Sequence, residues 1–457
     1  MSNVLLVEPD YRSKFPPLGL LRISSYHKER GDSVTFARGK VPALRQVFWK
    51  RVYVASLFTY ELPRTVETIG YYYPAVENPS DDIIVGGIGA TLLPDYIRER
   101  ARCTVVTGAL DRPGMLEPNT PCLDVQVPDY SILDSTDKVY KPEDTYFCKV
   151  TKGCVRRCNF CAVPVLEPVF GYIGSVRDQI AEARSRFGER QHLILLDNNV
   201  LALDEFERII EDIRSEGFER GAKRNNRLRT VDFNQGIDAR LVTPKVAKLL
   251  ASICLSPVRL AFDFDAMEGA YRRAVAELAQ VGFTEFTTYI MFNHEDSPLS
   301  FHRRLRINAE LSKALGIRVT GFPMRYIPIN DIQRNYVSKQ WHWRYLRGIQ
   351  CVLSATHGMV SPNPDFLAAA FGESYEEFLE ILSMPDRYII HRNKYRHGEA
   401  ASWRALFRRL SAGEKEEFLA ILAELHYSRG HKKALDRFPR YFDLLEHYYP
   451  GSDSLHD

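Results

Sequence analysis

Short apolar strands alternate with helix-length amphipathic segments through the first 325 residues of this chain. The first series of candidate strands lies at 4–8, 34–36, 52–55, 83–87 and 104–106. The second series lies at 146–151, 192–197, 229–234, 257–263, 286–292 and 317–323. Strands separated by helices pair in parallel through crossover connections, so this alternation predicts an α/β protein.

The pattern divides the chain into four predicted parts. Residues 1–115 are predicted to form an N-terminal doubly wound parallel sheet. Residues 146–328 are predicted to form a central partial (β/α)6 barrel, because six strand–helix units follow one another there. The Pro- and Asp-rich residues 116–145 are predicted to be a linker draped over the surface. Residues 329–457 are predicted to be a helical segment. The helices predicted for the barrel and for the C-terminal segment lie at 174–187, 203–216, 243–252, 298–315, 366–382, 401–410 and 414–427.

Charge and hydropathy exclude some classes of protein. Lys and Arg number 61 against 58 Asp and Glu, so the net charge of +3 gives the whole chain no strong attraction for nucleic acid or membrane. No apolar run reaches membrane-spanning length, and the first residues lack the basic and apolar stretches of a secretory signal. We therefore expect a cytoplasmic protein without a membrane partner.

Three of the eight cysteines fall within eight positions, as Cys154, Cys158 and Cys161. They directly follow the first strand of the second series. Three thiolates with C-x3-C-x2-C spacing on one loop can hold three corners of a cubane iron–sulfur cluster and leave the fourth iron without a protein ligand. Gly153 allows the backbone to turn sharply before the loop, and Arg156 offsets part of the cluster's charge.

Two other interpretations of the cysteines stay open from sequence alone. A structural zinc site needs four closed ligands, and Cys351 or His357 could supply the fourth. The three cysteines could also be unrelated buried residues. The ligand count favours the open cluster, because the other five cysteines are scattered singly and form no second pair.

With Phe160 before the last cysteine, the motif C-x3-C-x-aromatic-C resembles that of the radical S-adenosylmethionine (SAM) superfamily. The resemblance covers about residues 146–325. It implies a [4Fe–4S] cluster whose fourth iron is chelated by the amino and carboxylate groups of SAM. It also implies an electron donor such as flavodoxin or ferredoxin, because one electron cleaves SAM to methionine and a 5′-deoxyadenosyl radical. Phe160 is assigned to the cofactor site on the same basis.

Polar residues at the ends of the later strands are the other candidates for cofactor binding. The second strand of this series ends in Asp197, Asn198 and Asn199, where the family often has Gly-Gly-Glu, so this sequence departs from the motif. A carboxylate there would suit the SAM ammonium group, and the alternative is a polar turn that begins a helix. Of the polar residues at the other strand ends, four are assigned to the cofactor site: Asn234, Gln235, Asp263 and Asn293. The same strand ends carry Asp238, Arg240, Asp265, Arg325 and Tyr326, which could line the same cavity. Each of these is otherwise explained as a cap or a turn.

The N-terminal part resembles the cobalamin-binding-like domain that precedes many radical SAM barrels. The resemblance rests on the sheet pattern, on Pro16 to Leu20 after the first strand, and on the glycines between Val85 and Ala90. Such glycines would let a flat ligand approach the strand ends. The motif Asp-x-His-x-x-Gly is absent after the first strand. Its absence removes a lower axial ligand but does not exclude cobalamin, which the resemblance makes a candidate cofactor. The alternative is a degenerate domain kept for packing or substrate capture.

The predicted function is a radical SAM enzyme, with methyl transfer as the leading reaction if cobalamin binds. Rearrangement, cyclisation or oxidation is favoured without cobalamin, and a non-catalytic iron–sulfur protein is the rival from another class. The substrate is left open among small molecules, peptides and RNA. Residues 386–440 carry 13 Lys and Arg against 7 Asp and Glu, with aromatic residues between them. That texture occurs in proteins that bind single-stranded nucleic acid and also on ordinary solvated helices.

Overall fold

The computed structural model describes residues 2–427 and 432–449, so the predicted C-terminal segment lies partly outside the described residues, at 428–431 and 450–457. The fold is mixed α/β with parallel sheets and many helices. The chain forms two compact units, Met1–Arg259 with Pro328–Asn335, and Leu260–Ile327 with Tyr336–Asp457. Among the described residues, no helix has both the length and the apolar character to cross a membrane.

A five-stranded parallel sheet forms the N-terminal part of the first unit. Its strand order is β2-β1-β3-β4-β5. The strands are β1 Asn3–Glu8, β2 Ser33–Arg38, β3 Arg51–Ala55, β4 Ile83–Gly86 and β5 Thr104–Val105. The helices are α1 Leu18–Glu29, α2 Pro42–Arg45, α3 Leu62–Tyr71, α4 Pro79–Asp82, α5 Ile88–Leu92 and α6 Pro94–Arg98. The central strands β1, β3 and β4 are short apolar runs buried on both faces, as expected inside a parallel sheet, and the strand order reverses beside β1. All five predicted strands are present.

The rest of the first unit contains a three-stranded parallel sheet with the order β12-β9-β6 and two antiparallel strand pairs, β7-β8 and β10-β11. The strands of this part are β6 Thr145–Cys148, β7 Thr151–Lys152, β8 Gly171–Tyr172, β9 His192–Leu195, β10 Lys223–Arg224, β11 Arg227–Leu228 and β12 Thr230–Phe233. The helices are α7 Val163–Leu166, α8 Val176–Phe187, α9 Phe206–Ile213 and α10 Pro244–Leu250. The sheet places β6, which leads into the cysteine motif, at its edge.

The connecting segment 116–145 is packed into the first unit, which corrects the prediction that it drapes over the surface. Leu123 and Val127 are buried, and the Ser24 hydroxyl of α1 donates to the Asp129 carboxylate at 2.7 Å. The segment lacks helical or strand periodicity, so its few apolar residues gave no sign that they would be buried. It acts as packing between α1 and the strands that follow.

The second unit combines a three-stranded sheet, ordered β13-β14-β15, with helices. Its strands are β13 Val258–Ala261, within which the unit boundary falls, β14 Glu285–Phe292 and β15 Arg318–Arg325. Its helices are α11 Glu268–Gln280, α12 Pro298–Leu315, α13 Trp343–Ala355, α14 Pro364–Phe371, α15 Tyr375–Ser383, α16 Asp386–Ile390, α17 Arg392–Tyr395, α18 Glu399–Arg408, α19 Ala412–Tyr427 and α20 Phe442–Leu445. The six strands predicted for the barrel are therefore present as two sheets of three, and their closure into one barrel stays a prediction.

Candidate functional site

Three strand ends of the first unit meet at one edge of the β12-β9-β6 sheet. Cys148, the last residue of β6, lies opposite Leu195 of β9, and Leu195 lies opposite Phe233 of β12. Because the strands are parallel, the loops that follow them leave the sheet on the same side. Those loops carry the cysteines, the predicted residues 197–199 and the predicted residues 234 and 235.

Gly153 shapes the start of the cysteine loop. Its φ of +69° lies in the left-handed region, and a Cβ at this position would stand 2.4 Å from the carbonyl oxygen of Val169. Its N–H donates to the Glu167 carboxylate at 2.7 Å. The loop conformation therefore requires glycine here.

Replacing Gly153 with alanine should lower the free energy of unfolding by about 2–3 kcal/mol, because the new methyl group meets backbone and the left-handed conformation disfavours it. Gly171→Ala is the matched control, since Gly171 lies on the strand paired with Lys152 and a Cβ there would meet nothing within 4 Å. Chemical denaturation of the two variants measures the difference. Equal stability of the two variants would contradict the requirement for glycine at position 153.

The three cysteines of the loop are half-buried, and none of them forms a disulfide. Backbone N–H groups donate to two of the sulfurs, from Arg156 to Cys154 at 3.3 Å and from Val163 to Cys161 at 3.4 Å. Such N–H donors stabilise thiolates and tune iron–sulfur clusters. Within residues 2–427 and 432–449, no three His, Cys, Asp or Glu side chains converge closely enough to hold a single metal ion. Three thiolates on a cubane each bind a different iron, so convergence on one point is not needed for that group, and the donor set fits it.

A buried carboxylate, Asp238, binds the cysteine loop to the loop after β12. It accepts from the Nε of Arg156 at 3.1 Å and from the Nε of Arg240 at 2.7 Å. Burial alone would raise the pKa of Asp238, but the hydrogen bond and charge of Arg240 outweigh it and hold the pKa below its usual value. Sequence analysis did not assign Arg156 a partner. The structure shows that it forms an ion pair with Asp238.

Asp197 connects the end of β9 to the end of β6. Its Oδ1 accepts from the backbone N–H of Val150 at 2.9 Å and from the hydroxyl of Thr151 at 2.7 Å. Its Oδ2 is buried and has no hydrogen-bond partner in the described part of the chain. Burial raises the pKa of Asp197 to about 6, although the hydrogen bonds from Thr151 oppose the shift. One oxygen thus holds the sheet edge together, and the other is an acceptor that lacks a donor.

The two asparagines after Asp197 face different partners. Asn198 donates to Glu167 at 2.9 Å, while the Nδ2 of Asn199 lies 3.6 Å from the Cys154 sulfur and 3.3 Å from Asp238. The Oδ1 of Asn199 is buried and, among the described residues, has no hydrogen-bond partner. The structure therefore brings two of the predicted residues, Asn199 and Cys154, into direct contact.

A buried chain of charges supports the cysteine loop, and sequence analysis missed it. Arg22 of α1 donates to Asp124 at 2.6 Å, and Lys149 donates to Asp124 at 2.9 Å and also to Glu167. Burial alone would raise the pKa of Asp124, but the charges of Arg22 and Lys149 hold it below its usual value. Glu167 in turn accepts from the N–H of Gly153. The only signal in the sequence was a lysine directly after a buried strand.

The remaining predicted residues of the first unit take less defined positions. Phe160 is half-buried beside Cys161, Asn234 is half-buried, and Gln235 is exposed. The backbone N–H of Asn234 continues the sheet by donating to the carbonyl of Leu195 at 3.1 Å. Their roles in cofactor binding stay predictions.

Asp263 and Asn293 belong to the second unit. Asp263 accepts from the N–H of Met291 at 3.3 Å. The Nδ2 of the buried Asn293 donates to the carbonyls of Tyr326 and Tyr336 at 3.0 and 3.1 Å, and its Oδ1 accepts from the N–H of Ser338. Both amide hydrogens of Asn293 are thus used by the backbone, which gives this residue a role in holding the segment after β15.

The two residues proposed as a fourth zinc ligand also lie in the second unit. Cys351 is buried in its apolar core, and burial raises the pKa of this thiol to about 11. His357 is exposed and has a positive φ of 52°. Packing in an apolar core accounts for Cys351 as a structural residue.

Two of the glycines after β4 have a packing role, which is an alternative to the approach of a flat ligand. A Cβ on Gly87 would lie 2.6 Å from the Ser56 carbonyl oxygen, and a Cβ on Gly89 would lie 2.6 Å from the Ser56 hydroxyl. Ser56 follows β3, so the absent side chains make room for a neighbouring strand end. The glycines are explained by packing inside the sheet.

The carboxyl end of β1 is likewise filled by the chain itself. The buried Glu8 accepts from the Ser13 hydroxyl at 2.6 Å and from the Tyr140 hydroxyl, and burial raises the pKa of Glu8. Tyr140 comes from the connecting segment. The end of β1 is thus occupied by the chain's own side chains. Cobalamin binding at this edge stays a prediction, and no step is derived through that cofactor.

The chain is similar to a small number of known proteins, and no family model matches it. A segment of 96 residues is 33% identical to tRNA-2-methylthio-N(6)-dimethylallyladenosine synthase of Yersinia pseudotuberculosis serotype O:3 (strain YPIII), covering 19% of this chain and 20% of that protein. The fold is also similar to two structures of the cobalamin-dependent S-adenosylmethionine radical enzyme OxsB. The apo, SeMet-labelled form has a TM-score of 0.36 and 15% identity, and the form with aqua-cobalamin bound has a TM-score of 0.39 and 14% identity. Each comparison covers 73% of this chain and 51% of OxsB, so the chain matches only about half of that enzyme and a fifth of the synthase.

Proposed function

We propose that this chain is a radical SAM enzyme that holds a [4Fe–4S] cluster on Cys154, Cys158 and Cys161 and binds SAM at the fourth iron. The cysteine spacing supports the proposal, as does the half-buried position of three cysteines that lie outside any disulfide. When bound, the reduced cluster supplies the electron that splits SAM into methionine and a 5′-deoxyadenosyl radical.

The observation that carries the proposal is the 3.6 Å contact between the Asn199 amide and the Cys154 sulfur. It sets the end of β9 beside a thiol that would bind iron. That strand end also holds two buried acceptors, Oδ2 of Asp197 and Oδ1 of Asn199, which have no donor in the described part of the chain. An ammonium group is a donor that suits either acceptor, and SAM carries one.

The other residues of the edge would act by binding and positioning. The N–H groups of Arg156 and Val163 stabilise the thiolate forms of Cys154 and Cys161. The cations of Arg156 and Arg240 reduce the cost of gathering negative charge at the loop, and Asp238 fixes their positions. Asp197 keeps the ends of β6 and β9 at a fixed separation through its Oδ1.

Anaerobic reconstitution of the full chain with iron and sulfide, followed by dithionite and SAM, tests the proposal. We expect the release of 5′-deoxyadenosine and methionine, measured by liquid chromatography with mass spectrometry. We also expect SAM to change the electron paramagnetic resonance spectrum of the reduced cluster, since it would bind iron directly. If the reduced cluster is intact and its spectrum is the same with and without SAM, the chain is instead a non-catalytic iron–sulfur protein.

The reaction that follows SAM cleavage is the finer part of the proposal. Methyl transfer requires S-adenosylhomocysteine to form when cobalamin is added, whereas rearrangement or cyclisation yields 5′-deoxyadenosine alone. The same reconstituted protein, assayed with and without cobalamin, separates the two. Reduction by flavodoxin or ferredoxin in place of dithionite tests the proposed electron donor.

A further inference from the structure

A cavity of about 550 Å³ lies within the helical part of the second unit. Its walls come from the start of α13, from α16 and α17, from α19, and from the turn at Glu446–Tyr448. The volume falls in the range of pockets that hold small organic ligands. Its lining is of two kinds, cationic and aromatic.

The cationic wall carries more positive than negative charge. Arg344, Arg387 and Lys394 line the cavity together with one carboxylate, Asp386. That carboxylate is already shared by Arg344 at 2.8 Å and Arg347 at 2.7 Å. Burial alone would raise the pKa of Asp386, but the charge of Arg344 outweighs it and keeps the pKa low. The ionised carboxylate is therefore balanced by two arginines, although its buried Oδ1 has no hydrogen-bond partner in the described part of the chain.

Two of the cations retain capacity for an anion. Arg344 is 2% exposed, and its Nη2 is buried with no hydrogen-bond partner in the described part of the chain. Its Nε donates to the Leu382 carbonyl at 3.2 Å, so the guanidinium is held in place. The exposed Lys394 packs on the Tyr395 ring at 5.7 Å and forms no ion pair among the described residues. A buried donor without an acceptor is costly, and a phosphate oxygen would satisfy it.

The aromatic wall offers a stacking surface. The rings of Trp343 and His426 are stacked with their centroids 4.0 Å apart and an angle of 22° between their planes. Burial, with the charge of Arg347, lowers the pKa of His426, so this ring is mainly neutral near pH 7. Tyr448 also lines the cavity, and its ring centroid lies 5.7 Å from the Arg344 guanidinium. A flat heteroaromatic ring can stack in such a place.

We propose that this cavity binds a nucleotide, with its phosphate on Arg344 and Lys394 and its base against Trp343 and His426. The shared chemistry is a nucleoside 5′-phosphate, either free or at the end of a single strand of RNA. The site is independent of the proposed cluster chemistry, because every residue that forms it belongs to the helical part of the second unit.

Isothermal titration calorimetry of the full chain with AMP, GMP, CMP and UMP measures the dissociation constant of each nucleotide and tests the proposal. We expect at least one of these nucleotides to bind at least tenfold more tightly than its nucleoside and than inorganic phosphate, because only the nucleotide engages both walls. A 5′-phosphorylated hexanucleotide of the same base distinguishes the source. Tighter binding of the strand indicates RNA, and weaker binding indicates the free nucleotide.

Variants assign the binding to this cavity. Lys394→Gln should weaken the nucleotide about threefold and Trp343→Leu about tenfold, as expected for the loss of one exposed cation and one stacking ring. Lys339→Gln is the matched control, because Lys339 is an exposed lysine of the same unit outside the cavity lining. Circular dichroism verifies folding, and Lys394→Gln keeps the test valid if Trp343→Leu is unstable. Absence of binding at millimolar concentrations, or unchanged affinity in Lys394→Gln, overturns the proposal.

Discussion

Cys158→Ser is expected to abolish both iron retention and the formation of 5′-deoxyadenosine, leaving each at background. The cubane needs three thiolates from this loop, and a serine hydroxyl is a poor ligand for iron at neutral pH. The loop itself should persist, because its turn is held by the backbone hydrogen bond from Cys161 to Cys158 and by Gly153. Iron and sulfide content after reconstitution, together with the product assay, measures the effect.

Cys122→Ser supplies the matched control for this experiment. Cys122 is likewise half-buried and outside any disulfide, but it lies in the connecting segment and not in the motif. It should retain the iron content and activity of the parent chain. Equal loss in the two variants would point to general thiol damage, and full activity of Cys158→Ser would remove the assignment of the loop.

Asp124→Asn is expected to lower the free energy of unfolding by about 3–5 kcal/mol. The carboxylate lies between Arg22 and Lys149, and all three side chains are about nine-tenths buried. Removing one partner of a buried ion pair leaves an uncompensated charge away from water, which is the costly case. Chemical denaturation followed by tryptophan fluorescence measures the change. Because the chain has two units, the transition of the first unit is the relevant one.

The double variant Arg22→Met with Asp124→Asn separates the ion pair from general damage. If the pair is the cause, the two substitutions together should cost at least about 1 kcal/mol less than the sum of the single effects. Asp95→Asn is the surface control, because its ion pair with Arg98 is largely exposed, and it should leave the denaturation midpoint unchanged. Strict additivity of Arg22 and Asp124 would contradict the role of the buried pair.

The elements were predictable where the signals are local. The helix at 298–315 was predicted at its observed bounds, because Ser297 caps its first turn, Pro298 occupies its first position and Gly316 ends it with a φ of +66°. The strands were predictable for a similar reason, as apolar runs that end at turn residues. The cysteine loop was also visible, since its ligands lie close together in sequence.

The contacts that hold the site were not predictable, because they join distant parts of the chain. Arg22 and Asp124 are 102 positions apart, and Arg156 and Asp238 are 82 apart. No periodicity marks such a pair. Asn293 shows the same limit, since its place after a strand suggested a cofactor contact, while its amide donates to the backbone of the next loop. A position at a strand end identifies the edge of a site, and only tertiary contacts decide what the side chain does there.

The chain of charges from α1 to Glu167 bears on how this protein can be cut into fragments. A fragment starting at residue 116 would keep Lys149 and Asp124 but lose Arg22, together with the hydroxyl of Ser25 that binds the carbonyl of Val127. The cysteine loop thus depends on contacts from α1. An expressed fragment that contains the loop therefore needs to include β1 and α1. The same dependence predicts that residues 146–328, grafted onto another scaffold, lose the contacts of Arg22 and Asp124 that support the loop.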